Sequence, residues 1–354
     1  MTDPLVIVGI SRVDASTENT HSSLTDNGIW IYSLPMEHDQ IAERALQKLD
    51  TKVRNCVHTA IVCSSADDSY ARYRNITSTR MRPRDVMAGL GVNLAKTLNS
   101  CLPNMQNTFK VEAACASGIF ALDIADMIAR RDNAVVLLAA VDKSTAPSFL
   151  NFFYHIGAVA QQPSNYYSPF DQRRAGFAMG EGAGLLAVTT ASQAQARGLD
   201  VLAVVDSVRT QTIFTHPTSP SDPVQLEQFI QDSIVASHRD LKDFACWDAH
   251  GTATPQGDEL EYNIFSNIFK NNDTAISSFK SRIGHCMSSS GVIEIANAVE
   301  NIQRNCISPN YNLEQPIAAD PRLITAATCT QKKTFVKTSF GFGGRNGATV
   351  ITVQ

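Results

Sequence analysis

Cysteine can carry an acyl group, histidine can move a proton or donate to a carbonyl, and lysine can supply a fixed positive charge. Cys115 lies in VEAACASGIF (111–120), after an apolar run and before a helical pattern in which Ile119, Leu122, Ala125 and Ile128 share a face. That spacing puts the thiol at or just before a helix N-terminus, where the helix dipole favours a thiolate and lowers its pKa. Buried packing is the other reading of a cysteine among small residues, and the stretch alone leaves both open.

Two histidines and a lysine follow apolar strands. His250 in DAHGTATPQGDELE (248–261) precedes Gly251 and the hydroxyls of Thr252 and Thr254. Loops at the carboxyl ends of strands are where open α/β sheets bind ligands. A turn with an N-cap would equally account for Thr254, Pro255 and Asp258. SSFKSRIGHCMSSSG (277–291) offers Lys280 and His285 in a serine- and glycine-rich setting that suits close backbone approach. TSFGFGGRNG (338–347) is a glycine-dense turn between strands, suited to a tight hairpin or to aiming N–H groups into a concavity. It lacks the spacing of a phosphate loop. SPFDQRRAGFAMGEGAG (168–184) reads only as a structured loop. Together one cysteine, two histidines and one lysine on loops make an acyl-transfer site, with the acyl group held as a thioester and the positive charge fixed beside it.

The elements that must position these residues alternate. Apolar, β-branched runs at 5–10, 59–63, 134–141, 184–190, 201–208, 244–250, 274–279, 334–340 and 348–353 read as buried strands. Helical patterns at 85–99, 116–130, 224–237, 257–270 and 290–304 lie between many of them, which indicates an α/β architecture. Each half finishes with a helix followed by an apolar strand. The polar connection TTASQAQARGLD (189–200) separates the halves, giving an expected division into 1–190 and 191–354.

A chain of 354 residues with 44% apolar and 18% charged residues is long enough for a large core. Its net charge of -4 argues against nucleic acid as the main partner. Eight scattered cysteines without a CxxC pair fit neither a zinc site nor a disulfide scaffold, and suit reduced thiols in the cytosol. MTDPLVIVGI lacks the basic region and apolar length of a signal peptide, and no stretch reaches a membrane-spanning length. The expectation is a soluble, cytoplasmic protein that binds no metal.

EAACASG, SPFDQRRAGFAMGEGAG, HGTATPQGDELE, KSRIGH and SFGFGGRNG, in this order from about residue 105 to the C-terminus, resemble the condensing enzymes of the β-ketoacyl-acyl carrier protein synthase family. The resemblance implies a thiolase fold, two βαβαβ-type halves in an α/β/α/β/α arrangement, normally dimeric. It implies decarboxylative Claisen condensation: Cys115 accepts an acyl chain from an acyl carrier protein, and malonyl-carrier loses carbon dioxide and attacks the thioester. By the same resemblance His250 and His285 hydrogen-bond the malonyl thioester carbonyl, and Lys280 supports them. The backbone N–H groups of Cys115 and Phe342 form the oxyanion hole, with Phe342 as the gate and Phe340 beside it. Thr218, Thr252 and Thr254 contact the phosphopantetheine arm, which the carrier delivers, so no resident cofactor is implied. Glu294 is a structural acid near the lysine. The pair of histidines with a lysine is that of the elongating type.

Three features depart from the family pattern. The segment before Cys115 is several tens of residues shorter than usual, with the N-terminal glycine pattern reduced to GISRVDAST. GHCMSSSG replaces an alanine- and glycine-rich run, and Arg345 stands where threonine is common. The shortening makes a heterodimer with a larger synthase subunit an alternative to a homodimer. The main rival to an active synthase is a non-catalytic or weakly catalytic partner subunit of the chain-length-factor kind, against which the complete Cys115, His250, Lys280 and His285 set argues; a hydrolase or acyltransferase on the same fold is a second. Carrier proteins are acidic, so Arg72, Arg74, Arg80, Arg82 and Arg84 in YARYRNITSTRMRPRD (70–85) are candidates for docking one.

Overall fold

The computed structural model describes residues 3–18, 23–25, 29–36, 38–63, 92–145, 147–160, 167–214 and 221–354. Its long strands fall into two sets of five with the same internal order. The first contains β1 (Leu5–Asp14), β4 (Val57–Cys63), β5 (Asn107–Lys110), β6 (Val135–Lys143) and β7 (Met179–Thr190), lying as β1-β7-β6-β4-β5. A small pair, β2 (Ser23–Leu24) and β3 (Trp30–Tyr32), flanks β7. The second contains β8 (Ala203–Thr212), β9 (Phe244–Asp248), β10 (Ala275–Ser277), β13 (Thr334–Gly341) and β14 (Arg345–Val353), lying as β8-β14-β13-β9-β10. The remaining pair, β11 (Cys306–Ile307) and β12 (Thr328–Cys329), stands apart.

Strand directions repeat as well. In each set the first strand is antiparallel to the fifth and the fifth to the fourth, while the fourth, second and third run parallel. The two sets meet where β1 pairs antiparallel with β8 over Leu5–Ile7 and Ala203–Val205. The apolar runs explain the central strands: β6 buries every residue from Val135 to Asp142, as a strand covered on both faces must.

Two helices fill the middle. α4 (Ser117–Asp132) touches β4, β6 and β7 of the first set and β8 and β14 of the second; α10 (Ser290–Gln303) touches β1, β6 and β7 on one side and β13 and β14 on the other. α10 is therefore buried almost all round, Glu294 and Asn297 included, as a helix caught between two sheets is. The central helices approach closely because Gly118 has no side chain; a Cβ there would lie 3.0 Å from Val292 N. On the outer faces α1 (His38–Lys48) covers β1, β6 and β7, while α7 (Pro223–Ala236) covers β8 and β14. The layers are thus α/β/α/β/α, the expected thiolase-like arrangement.

The polar connection TTASQAQARGLD contains a short helix, α6 (Ala191–Arg197), whose alanine-rich sequence favours helix and whose end is closed by Gly198 in the left-handed conformation. β5, with all its residues exposed, lacks the apolar signal of a buried strand and forms an edge beside β4 instead. The helix expected at 85–99 is seen as α3 (Val92–Cys101). Residues 85–91, Thr218 and the five arginines Arg72, Arg74, Arg80, Arg82 and Arg84 lie outside the described residues. Among the described residues no helix is long and apolar enough to cross a membrane.

Candidate active site

Cys115 stands at a strained turn just ahead of α4. Ala114 takes a left-handed φ of 48°. A residue with a Cβ adopts that conformation at a cost of roughly 1–2 kcal/mol. The turn is held by Ser117, whose Oγ accepts from Ala113 N–H at 2.9 Å and donates to Ala114 O at 2.6 Å. The end of β13 presses against it, since a Cβ on Gly341 would lie 2.6 Å from Ala113 O. Gly341→Ala is therefore expected to displace the turn and slow reactions of the thiol by about 10²-fold, the order a 1 Å misplacement costs. Alkylation of Cys115 by iodoacetamide, followed by peptide mass alongside thermal unfolding, checks this; a wild-type alkylation rate would show that the turn tolerates the methyl group.

His285 reaches the thiol, with Nε2 3.1 Å from Cys115 Sγ and Nδ1 2.9 Å from Ser290 Oγ. Its backbone is pinned to the start of β7: His285 N–H donates to Ala178 O and its carbonyl accepts from Gly180 N–H. His250 lies beside it, the two rings 5.6 Å apart at 85°, and Phe340 packs on His250 at 5.5 Å. Phe177 meets the His285 ring edge to face. Phe342 stands against Phe153, their centroids 6.2 Å apart.

The loop carrying His250 is anchored by an acid from α8 (Pro255–Ile268). Glu261, itself buried, accepts the backbone N–H groups of His250 and Gly251 at 2.8 Å each, and the Thr338 hydroxyl at 2.6 Å. An amide in its place would point a donor at donors. Glu261→Gln is expected to destabilise the fold by roughly 2–3 kcal/mol. Guanidinium unfolding measures this, and an unchanged midpoint would exclude the anchoring role.

These side chains line a cavity of about 380 Å³ that includes Cys115, His250, Thr252, Thr254, His285, Phe340 and Phe342. The Thr252 and Thr254 hydroxyls are 3.2 Å apart. Lys280 and Glu294 lie behind it, fully buried, with Lys280 Nζ 2.7 Å from Glu294 Oε1. Lys280 belongs to a four-residue helix, α9 (Lys280–Ile283), not to an open loop. The structure thus brings together every candidate among the described residues.

The electrostatics correct one expectation. Burial pushes the Cys115 thiol up to about 12, with Lys280 the chief charge pulling it back. A helix N-terminus offers only about half a charge, less than the lost hydration of a buried thiolate. Burial, and after it the Lys280 charge, holds both His250 and His285 well below the ordinary histidine value, so both rings are neutral. Burial also lowers Lys280, against the pull of Glu294.

Sequence reasoning missed three residues. Lys337, fully buried on β13, places Nζ 2.5 Å from Glu294 Oε2 and 3.7 Å from Asp248 Oδ1. The signal was a lysine in the strand TFVKTSF on the same side as Phe335, which faces the central helices. Asp248, on the same side as buried Cys246, carried the matching signal. Ser290, which sets the His285 ring, had no signal distinguishing it from its serine neighbours.

A thiolase-like α/β/α/β/α fold with a cysteine at a helix start, two histidines and a buried lysine is that of the condensing-enzyme class. Residues 36–194 match the family described as "Beta-ketoacyl synthase, N-terminal domain" and residues 202–314 match "Beta-ketoacyl synthase, C-terminal domain"; the chain belongs to the β-ketoacyl synthase family. It is 29% identical over 70% of its length to a chloroplastic 3-oxoacyl-[acyl-carrier-protein] synthase II of Arabidopsis thaliana, spanning 47% of that protein. Against 3-oxoacyl-[acyl-carrier-protein] synthase 2 of Coxiella burnetii it is 27% identical over 75% of its length and spans 66% of that protein. The chain thus spans about half to two thirds of the length of these curated relatives. In fold it matches a ketosynthase solved as a type II polyketide synthase complex with its acyl-carrier protein, with a TM-score of 0.85 at 19% identity and full coverage of both chains. The ishigamide ketosynthase/chain length factor matches at 0.84 with 18% identity, also over both full chains.

Proposed function

We propose that this protein is a β-ketoacyl synthase that joins an acyl thioester on Cys115 to malonyl-acyl carrier protein by decarboxylative Claisen condensation, in fatty-acid-like or polyketide-like synthesis. The observation that carries this reading is the 3.1 Å approach of His285 Nε2 to Cys115 Sγ inside a cavity that also presents His250.

In the loading half, Cys115 Sγ attacks the carrier-bound thioester. Its proton passes to His285 Nε2 and from there to the departing phosphopantetheine sulfur, so the imidazole ends neutral. Ser290 Oγ accepts from Nδ1–H while Nε2 is a base, and donates to Nδ1 when Nε2 carries the hydrogen. The hydroxyl supports both tautomers. In the condensing half, neutral His250 and His285 donate to the malonyl thioester carbonyl as carbon dioxide leaves, and Lys280 offsets the charge of the enolate. The enolate carbon bonds to the acyl carbon and the Cys115 thiolate departs, to be reprotonated from water. Backbone N–H groups of Cys115 and Phe342 hold the oxyanion, and Phe342, with Phe340 beside it, gates the cavity. Thr252 and Thr254, with Thr218, hold the phosphopantetheine arm. The carrier supplies that arm, and no resident cofactor or metal takes part.

An acyl carrier protein is the proposed partner, and a second copy or a related ketosynthase subunit the proposed dimer mate. The exposed edge of β5, with Phe109 44% exposed, supports a pairing partner. The repeated strand order supports a proposed division of the chain at 190/191 into cysteine-bearing and histidine-bearing halves. Eight free cysteines suit a reducing cytoplasm. The test is to supply acyl-carrier and malonyl-carrier together and follow carbon dioxide release and the β-ketoacyl product by mass. Product formation supports the reading, and decarboxylation without a longer chain contradicts it.

A further inference from the structure

The pocket is backed by a line of buried charges that runs Asp248, Lys337, Glu294, Lys280. Glu294 gives one oxygen to each lysine, Oε1 to Lys280 at 2.7 Å and Oε2 to Lys337 at 2.5 Å. Lys337 also approaches Asp248 Oδ1 at 3.7 Å and donates to the carbonyls of Ala249 at 2.9 Å and Asp248 at 3.3 Å. Those carbonyls immediately precede His250. Among the described residues Asp248 Oδ2 has no hydrogen-bond partner, and Asp248 borders a cavity of about 20 Å³ together with Ser277, Asn297, Asn301 and Ser308. A single ammonium therefore touches the strand that leads to His250 and the acid beneath Lys280. It projects from the strand that also carries Phe340.

Burial raises the Asp248 carboxyl to about 7 against the pull of Lys337, so above that pH four buried charges stand in a row and balance only if all are present. Without Lys337, Asp248 and Glu294 would face one lysine, and a negative charge would remain behind a cysteine that must become anionic. Removing one member of a buried ion network leaves such a charge uncompensated. With Lys337 in place, Glu294 is divided between two lysines and is not spent on Lys280 alone, while the Lys337 charge itself pushes the Lys280 pKa down. The charged and titratable groups facing Cys115 are Lys280 from α9, Glu294 from α10, Asp142 from β6 and the two histidines. Those facing Lys337 are Asp248 from β9, Glu294 from α10 and Glu261 from α8.

We propose that Lys337 is a positioning residue: by sharing Glu294 with Lys280 and holding the carbonyls of Asp248 and Ala249, it sets the positive charge that Lys280 presents to Cys115 and seats His250. This rests on the assignment of Cys115 as the nucleophile. Of the charges around Cys115, Lys280 favours the thiolate while Asp142 and Glu294 oppose it.

The test is the pH dependence of Cys115 alkylation by iodoacetamide in the whole protein, mapped by peptide mass, with condensation kinetics alongside. Lys337→Met is expected to slow alkylation about tenfold at pH 8 and at each higher pH at which the protein stays folded. The condensation kcat should fall by a similar factor with KM for the acyl carrier little changed. Asp248→Asn combined with Lys337→Met should recover most of the alkylation rate, because the uncompensated acid is gone. Should Lys337→Met fail to fold, Asp248→Asn alone serves: it frees Lys337 for Glu294 and should speed alkylation at pH 8 severalfold. A folded Lys337→Met whose profile superimposes on wild type would overturn the proposal, as would a double variant as slow as the single one. Slowed alkylation in a protein that never condenses would leave this proposal standing and refute the synthase reading.

Discussion

Cys115→Ala is expected to lose condensation turnover by at least about 10³-fold, since the covalent carrier of the acyl group is gone. Among the described residues Cys115 is the only cysteine lining the cavity. The neighbouring Cys286 is fully buried among Phe279, Ile283 and other apolar side chains, so no second thiol is placed to substitute. Loss of one buried sulfur leaves a small void, worth about 1 kcal/mol of stability at most by the scale of a deleted methyl-sized group. Catalysis and folding therefore separate cleanly in this variant. The measurement is formation of β-ketoacyl product from acyl- and malonyl-carriers, with the unfolding midpoint as control. Turnover within tenfold of wild type would remove Cys115 from the chemistry.

His285→Ala is the variant with the next largest expected effect. Its imidazole both contacts Sγ and stands beside His250, so it can serve each half-reaction in turn. In the proposed mechanism decarboxylation depends on the donated hydrogen bond at the carbonyl, and its loss should cost about 10²–10⁴-fold, the usual range for a positioned acid or base. Acyl loading should suffer less, because the departing phosphopantetheine sulfur is a good leaving group and water can take the thiol proton. Carbon dioxide release and single-turnover loading, measured separately, give the two factors. Equal losses in both would contradict the division of labour.

The same ring carries a stability prediction. Burial holds the folded pKa of His285 well below the ordinary 6.5. Below that pH the unfolded chain binds the proton and the folded chain resists it, so stability falls as pH drops through 6.5. The histidine contributes no penalty above that value, and His285→Ala should flatten that acid-side loss.

The alternation of strands and helices was legible because the central strands are continuous apolar runs, as β6 is from Val135 to Val141. β5 was not, because an edge strand exposed along its length needs no apolar pattern. The site was legible where chemistry demands unusual neighbours: Cys115 among small residues, His250 before Gly251, Lys280 and His285 among serines. At Lys337 and Asp248 the buried face was legible but the role was not. Their roles come from two strands, far apart in sequence, turning the same face toward Glu294 on a helix between the sheets. No local pattern reports that meeting. The thiol's raised pKa was hidden for a similar reason, since a helix N-terminus is written in the sequence and the depth of burial is not.

The intact mass of the protein after incubation with acyl-carrier thioester, compared with Cys115→Ala, tests the central claim most directly. A mass increase equal to the acyl group, absent from the variant and lost on adding malonyl-carrier, is the predicted result. No adduct on this protein, with the acyl group instead on a second synthase bound to it, would contradict the claim and make the chain a partner subunit.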